Sequence, residues 1–306
     1  MTFGSRFLVH PDHFPAATTG QPWGERSVTL DVASPVCFVG LNTKQLAAVE
    51  ARYGSDLAGV GPPDGSVVPV VQCLRLERET FVLFDRTGWE YTVDLDAAAE
   101  RVLIVGYNFA GLIRLSPFLA GTFWTCEDDD NEFRAAIENF YRTFTAYQAL
   151  ALGGILLHSA AVVYEGRAFV FFSHSGAGKS TLAGNAVQAG HTILSDDLNL
   201  VLAGGGVPTV RRVPFAGTYG RAQAKQEIYP LAALIRLKQG VNVRRRLSPA
   251  TAFAAMIGSS PFVNRDPYRY PRLAEVADDL LERFTPWQVE AAREGFDQSL
   301  LEPPAE

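Results

Sequence analysis

Apolar and polar positions change rhythm along this chain. Up to about residue 125 the apolar residues come in short runs broken by Gly, Pro and Asp, the pattern of strands and turns. Arg26–Ala33 and Pro35–Leu41 have strand composition. Asn42 stands as an N-cap ahead of a helix that runs through Arg52 and stops at Gly54. Gly59 to Ser66 reads as a loop. Val67–Leu76, Thr80–Phe84 and Glu90–Leu95 read as strands, the last two joined into a hairpin by Asp85-Arg-Thr-Gly88. Arg101–Tyr107 adds another.

Near residue 127 the period lengthens. Phe133, Ile137, Phe140, Tyr141, Phe144, Tyr147 and Leu150 recur at helical spacing, which predicts a long amphipathic helix with an aromatic core face. The run Glu127-Asp-Asp-Asp130 before it has two readings: a metal cluster, or acidic residues favoured by the dipole at a helix N-terminus. The position favours the second. After Gly153-Gly154 the strand pattern returns, with Ile155–Tyr164, a two-residue turn at Glu165-Gly166, and Arg167–Phe172 coming back. Leu182–Gln188 then reads as a helix closed by Gly190, and His191–Val201 as a strand. No internal repeat is visible.

The 306 residues suffice for one large domain or two ordinary ones. The pattern divides them into a β-rich domain (1–125), a connecting amphipathic helix (126–154), an α/β domain (155–295) and a flexible tail (296–306). The 47% hydrophobic and 20% charged shares are those of a soluble globular protein. A net charge of −6 offers no global positive field to gather phosphates, so no nucleic-acid partner is expected. Cys37, Cys73 and Cys126 are far apart and in no Cys-x-x-Cys spacing, which argues against a disulfide framework and a zinc site. The N-terminus lacks a signal-peptide pattern, and no apolar run approaches the roughly 20 residues of a membrane span. The expectation is a cytoplasmic chain with no membrane partner.

Candidate chemistry concentrates in the second region. Ser175, Gly176, Ala177, Gly178, Lys179, Ser180 and Thr181 lie between an apolar strand and a helix, the context of a phosphate-binding loop. Glycines there turn backbone N–H groups toward phosphate oxygens. Lys179 would add a point charge, and the Ser180 hydroxyl would bind Mg²⁺. Ser173 stands where the usual pattern has Gly, and a positive φ at Ser173 would strain it. Asp196 and Asp197 follow seventeen and eighteen positions after Lys179. Phosphoryl transfer needs a carboxylate toward Mg²⁺ and a group to take the acceptor proton, and two adjacent carboxylates can divide these tasks. Side chains alternate on a strand, so both reach the phosphates only if the strand has ended there. His158 and His174 each have two readings, a structural histidine or a group at the reacting phosphate. Arg211, Arg212, Arg221 and Arg244–Arg246 are candidates to neutralise charge, or form a solvated face.

Leu157-His158-Ser159, the loop Ser175–Ser180, the Gly190-His191 step and Leu194-Ser-Asp-Asp197 resemble the catalytic core of the HPr kinase/phosphorylase family. The resemblance is closer to HPr-kinase-like proteins that act as peptide kinases. It covers about residues 150–285, with the hairpin leading into the loop also shared with ATP-dependent phosphoenolpyruvate carboxykinase. It implies an α/β fold with an HPr-kinase-type P-loop domain behind a β-rich α+β domain. It implies ATP and Mg²⁺ as cofactors, with Lys179, Ser180 and Thr181 at the phosphates and Ser180 and Asp196 toward the metal. One of Asp196 and Asp197 would be the base, with His158 near the transferred phosphate. The expected activity is transfer of the γ-phosphate to a hydroxyl, serine foremost, of a peptide or small protein. A small-metabolite kinase and a non-catalytic ATP-binding regulator or scaffold are the alternatives. Relatives assemble into rings or dimers, which implies a homo-oligomer. The true HPr kinases have an acidic residue where Thr181 stands, and their Arg-Gly-Leu-Gly signature is replaced by Phe215-Ala-Gly-Thr-Tyr-Gly220. Both departures weaken the case for HPr itself as acceptor.

Overall fold

The structure is a computed structural model that describes residues 14–16, 19–54, 57–59, 68–78, 93–127, 129–204, 206–215, 217–219 and 228–303. The fold is mixed α/β, with two multi-stranded sheets and five α-helices among the described residues. It forms two compact units, residues 1–145 and 146–306. The division falls inside the long helix rather than at the sequence-predicted boundaries of 125 and 155.

The first unit holds strands β1 (Gln21–Pro22), β2 (Arg26–Asp31), β3 (Pro35–Leu41), β4 (Leu57–Gly59), β5 (Val70–Arg75), β6 (Asp94–Ala97), β7 (Arg101–Gly106), β8 (Phe109–Arg114) and β9 (Ala120–Thr125). The sheet runs β4-β2-β3-β5-β9-β8-β7-β6, with β1 beside β5. Helix α1 (Thr43–Tyr53) begins at Asn42 as expected. The Asn42 side chain accepts from the Gln45 N–H at 2.8 Å and the Gln45 side chain accepts from the Asn42 N–H, a complete capping box. Helix α2 (Asp130–Ala151) buries every residue of the aromatic stripe. Its acidic lead-in is a cap: Asp129 accepts from the N–H groups of Asn131 and Glu132.

β8 and β9 were among the strands not visible in the sequence pattern. Both are almost wholly buried, so they show no alternation, and each carries a glycine that mimics a loop signal. Those glycines make room for one ring. A Cβ on Gly111 would sit 2.6 Å from Phe140, and one on Gly121 3.1 Å from it. The predicted strand Thr80–Phe84, its hairpin turn and the first half of Glu90–Leu95 lie outside the described residues.

The second unit holds β10 (Gly154–Tyr164), β11 (Arg167–Phe172), α3 (Lys179–Gln188), β12 (Thr192–Ile193), β13 (Leu198–Leu202), β14 (Thr209–Arg212), β15 (Ile228–Gln239), β16 (Val243–Arg246), α4 (Pro249–Gly258), α5 (Tyr270–Arg283) and β17 (Trp287–Ala291). The order β11-β10-β13-β14-β15-β17-β16 also pairs β11 with β15 in parallel. β11 is thus the parallel neighbour of β15 and the antiparallel partner of β10 in the predicted hairpin. Helix α3 ends in a Schellman motif: Gly190 (φ 86°) donates to the Val187 carbonyl and His191 to that of Ala186.

Two expectations need correction. His191–Val201 is not one strand: β12 and β13 are separated by Leu194-Ser-Asp-Asp197. The terminal stretch from 296 is not a flexible tail over its described part. Phe296 packs on the core, and Leu300 (2% exposed) and Leu301 (5%) enter the same cluster as Leu182, Ala186 and Trp287. We expect Leu300→Ala to cost about 2–5 kcal/mol. Urea unfolding reads this as a lowered midpoint, whereas a mobile tail would leave the midpoint unmoved.

Candidate functional site

Between β11 and α3 the chain turns through a Gly-rich loop. Gly176 (φ 80°) and Gly178 (φ 95°) take left-handed backbone, and Gly178 leads directly into the first turn of α3. Ser173 lies outside that region of φ, so the residue in place of the usual first glycine carries no such strain. The loop is pinned from β15: the Gln239 side chain donates to the Gly176 carbonyl at 3.0 Å.

Lys179 heads α3 and turns back under the loop. It is 5% exposed, and its ammonium donates to the carbonyls of Ser173 (3.3 Å) and His174 (3.0 Å). Burial pulls its pKa down from 10.5 to about 8, and the carboxylates of Asp197 and Asp196 hold it up against a larger fall.

The two carboxylates arrive from the break between β12 and β13. Asp196 is buried and accepts from the Tyr219 N–H at 3.1 Å. Gly217 packs on it so tightly that a Cβ there would lie 2.3 Å from its Oδ1. Asp197 is more open, and its Oδ1 lies 3.5 Å from Nε2 of His158 on β10. Both carboxylates and His158 face one cavity of about 460 Å³. Its opposite wall is Ser175, Gly176, Gly178, Lys179, Ser180 and Thr181.

The structure therefore brings His158, Lys179, Asp196 and Asp197 together with all of the predicted loop residues but Ala177, whose side chain is buried. His174 is exposed, its ring Nδ1 2.8 Å from the Ser175 carbonyl, and does not line the cavity. Among the arginines, Arg244 and Arg245 of β16 pair with Glu302 and Glu290, and neither lines the cavity. Arg221 lies outside the described residues. Gln239, Gly217 and Thr218 also line the cavity. Gln239 had no sequence signal, because it ends a strand remote in sequence from the loop. Among the described residues no three His, Cys, Asp or Glu side chains gather as a self-sufficient metal cluster. A cation here would need the Ser180 hydroxyl, a carboxylate and ligand oxygens together.

No protein-family model matches this sequence, and a search of curated proteins gave no match.

The Lys179 shift has a measurable sign. Between pH 8 and 10.5 the unfolded chain holds a proton that the folded chain has released, so Lys179 adds stability as pH rises through that window. The burial penalty is felt in full below it. With four lysines in the chain, NMR of ε-labelled lysine should show one resonance titrating near pH 8 that is lost in Lys179→Met. A Lys179 resonance titrating near 10.5 would mean the ammonium is hydrated.

Proposed function

We propose that this chain is a Mg·ATP-dependent kinase of the HPr-kinase-like type, transferring the γ-phosphate to a hydroxyl of a peptide or small protein, serine foremost. The observation that carries the reading is the convergence on one cavity of a left-handed glycine loop with its lysine and two adjacent carboxylates. An acyl-transfer site would need a nucleophile beside a base, and a binding groove would not need a buried ammonium opposite two carboxylates.

The residues present fit a nucleotide phosphate chain with its metal. The loop N–H groups between Gly176 and Ser180, at the start of α3, would hold phosphate oxygens. Lys179 would leave its two loop carbonyls for the β- and γ-phosphates. Ser180, exposed at the start of α3, and Asp196 would hold Mg²⁺. That ion, when bound, supplies charge neutralisation at the transferred phosphoryl group.

The two carboxylates are differently engaged, which supports a division of labour. Asp196 is fixed by the Tyr219 N–H and the Gly217 backbone, suiting a residue that must hold its geometry. Asp197 is more accessible and stands beside His158, suiting the group that takes the acceptor's proton. Gln239 holds the Gly176 carbonyl, which would leave the loop N–H groups free for phosphate oxygens.

Calorimetric titration with Mg·ATP tests the first half. Wild type should bind, and Lys179→Ala should bind far more weakly. Absence of binding by the wild type would end the kinase reading. Asp197→Asn tests the second half. It should retain Mg·ATP while losing roughly 10²–10⁴-fold in transfer rate, the usual worth of a general base. Undiminished transfer in that variant would remove Asp197 from the role.

A further inference from the structure

His158 is bracketed through its backbone on one edge. Its carbonyl accepts from the Ser173 N–H at 3.4 Å, and its N–H donates to the Ser259 carbonyl at 2.7 Å. Beside β10, the segment after α4 thus takes over the edge that β11 leaves when it turns into the loop. The residues next after Ser259 therefore continue from the edge of β10 at His158, whose side chain lines the cavity. Three residues of chain span at most about 10 Å, so Phe262 stands within that distance of the Ser259 anchor.

Phe262 is strained. It has φ 69° and ψ −68°, and the Val263 N–H donates to the Pro261 carbonyl at 2.9 Å, which makes a γ-turn of the rare hand. A non-glycine residue held there costs on the order of 1–3 kcal/mol and persists only where the surroundings impose it. The imposition is visible. Ser260 Oγ donates to the Met256 carbonyl, Asn264 Nδ2 to that of Ile257, and the Asp266 N–H to that of Val263. Asp266 itself is 1% exposed and takes the Tyr147 hydroxyl, two backbone N–H groups and an ion pair from Arg269. Nothing in this frame requires a phenylalanine at the turn.

The outward side of the segment has a particular composition. Phe262 is partly exposed, Arg265 is exposed, and Tyr268 and Tyr270 are 57% and 42% exposed. Aromatic residues and arginine are the types enriched where proteins dock. From Ser259 to Tyr270 the chain has no Lys or Glu, and its one carboxylate, Asp266, is buried. Among the described residues no carboxylate pairs with Arg265. This positive rim stands on a chain of net charge −6.

We propose that the strained turn at Phe262, with Arg265, Tyr268 and Tyr270, is the docking rim for the phosphate acceptor, an acidic peptide segment whose carboxylates flank the acceptor serine. The proposal rests on the kinase reading above. The ring of Phe262 supplies an apolar anchor, and Arg265 meets a carboxylate a few positions from the serine.

The test is a positional library of serine-centred peptides with labelled Mg·ATP, run on wild type, Phe262→Gly and Arg265→Glu, with a calorimetric Mg·ATP titration and sedimentation of each. Wild type should select Asp or Glu at positions flanking the serine, and Arg265→Glu should lose or invert that selection. Phe262→Gly should raise KM for the selected peptide roughly tenfold. Its thermal stability should be kept or raised, since glycine adopts φ 69° without strain. Mg·ATP affinity should persist in all three. Transfer by both variants with unchanged selection and KM overturns the docking rim while leaving the kinase intact. So does a wild type that binds Mg·ATP but labels no peptide. Loss of self-association in both variants, with selection unchanged, would assign the rim to a second copy of the chain and overturn the proposal. No Mg·ATP binding by the wild type would instead bring down the kinase reading itself.

Discussion

The site depends on ending a buried strand where two carboxylates stand in sequence. On a continuous strand Asp196 and Asp197 would point to opposite faces. Ending a strand inside a sheet exposes backbone groups that must find partners without water. Ser195 and Asn199 supply them. Ser195 Oγ accepts from the N–H groups of Asp197 and Leu198, and Asn199 Nδ2 donates to the carbonyls of Ser159 and Ser195 and to Ser159 Oγ. The break is also stitched to β10, since the Ser159 N–H donates to the Asp197 carbonyl and that of Ala161 to the Ser195 carbonyl. Ser159, Ser195 and Asn199 are each 0% exposed, so this network lies in a low-dielectric interior where an unmet bond is expensive. His158, one residue before Ser159, is carried to Asp197 by the same stitching.

The loop opposite is governed by the same constraint from the other side. An ammonium as buried as that of Lys179 is costly unless oxygen atoms surround it. Two loop carbonyls do so, with the Asp pair beyond them. Backbone carbonyls are neutral acceptors, so a charged oxygen entering the cavity would displace them. Rigidity comes from the sheet: Gln239 at the end of β15 and the parallel pairing of β11 with β15 fix the loop at its middle and its base.

Much of this was legible in the sequence because the signals were local. The glycine-lysine-serine run between strand and helix, the Asn42 cap and the Gly190 stop each depend on residues a few positions apart, and each was found where it was expected. The features that were not legible came from contacts distant in sequence. Nothing local accounts for Gly111 and Gly121, because the Phe140 ring they make room for lies on another element. Gln239 carries no local signal, since its partner Gly176 is remote in sequence. The final residues read as a flexible tail, with only Phe296, Leu300 and Leu301 to reveal that the core of the second unit extends to them. The continuous strand read from His191 to Val201 missed the break because its cause is the meeting of Ser195 and Asn199 with Ser159.

Ser173 shows how far such motif reading can be refined by physics. A glycine is required only where the backbone takes positive φ or where a Cβ has no room. In this loop Gly176 and Gly178 meet the first condition, and Gly178 also sits against Gln239, at 3.3 Å from where a Cβ would be. Ser173 meets neither condition as the last residue of the hairpin side, bonded through its N–H to His158 and through its carbonyl to Lys179. This position contributes backbone, and a serine provides the same N–H and carbonyl as a glycine. The departure from the usual loop pattern is therefore no evidence of a disabled site. The residues that shape the loop are the two glycines before Lys179, and both are present.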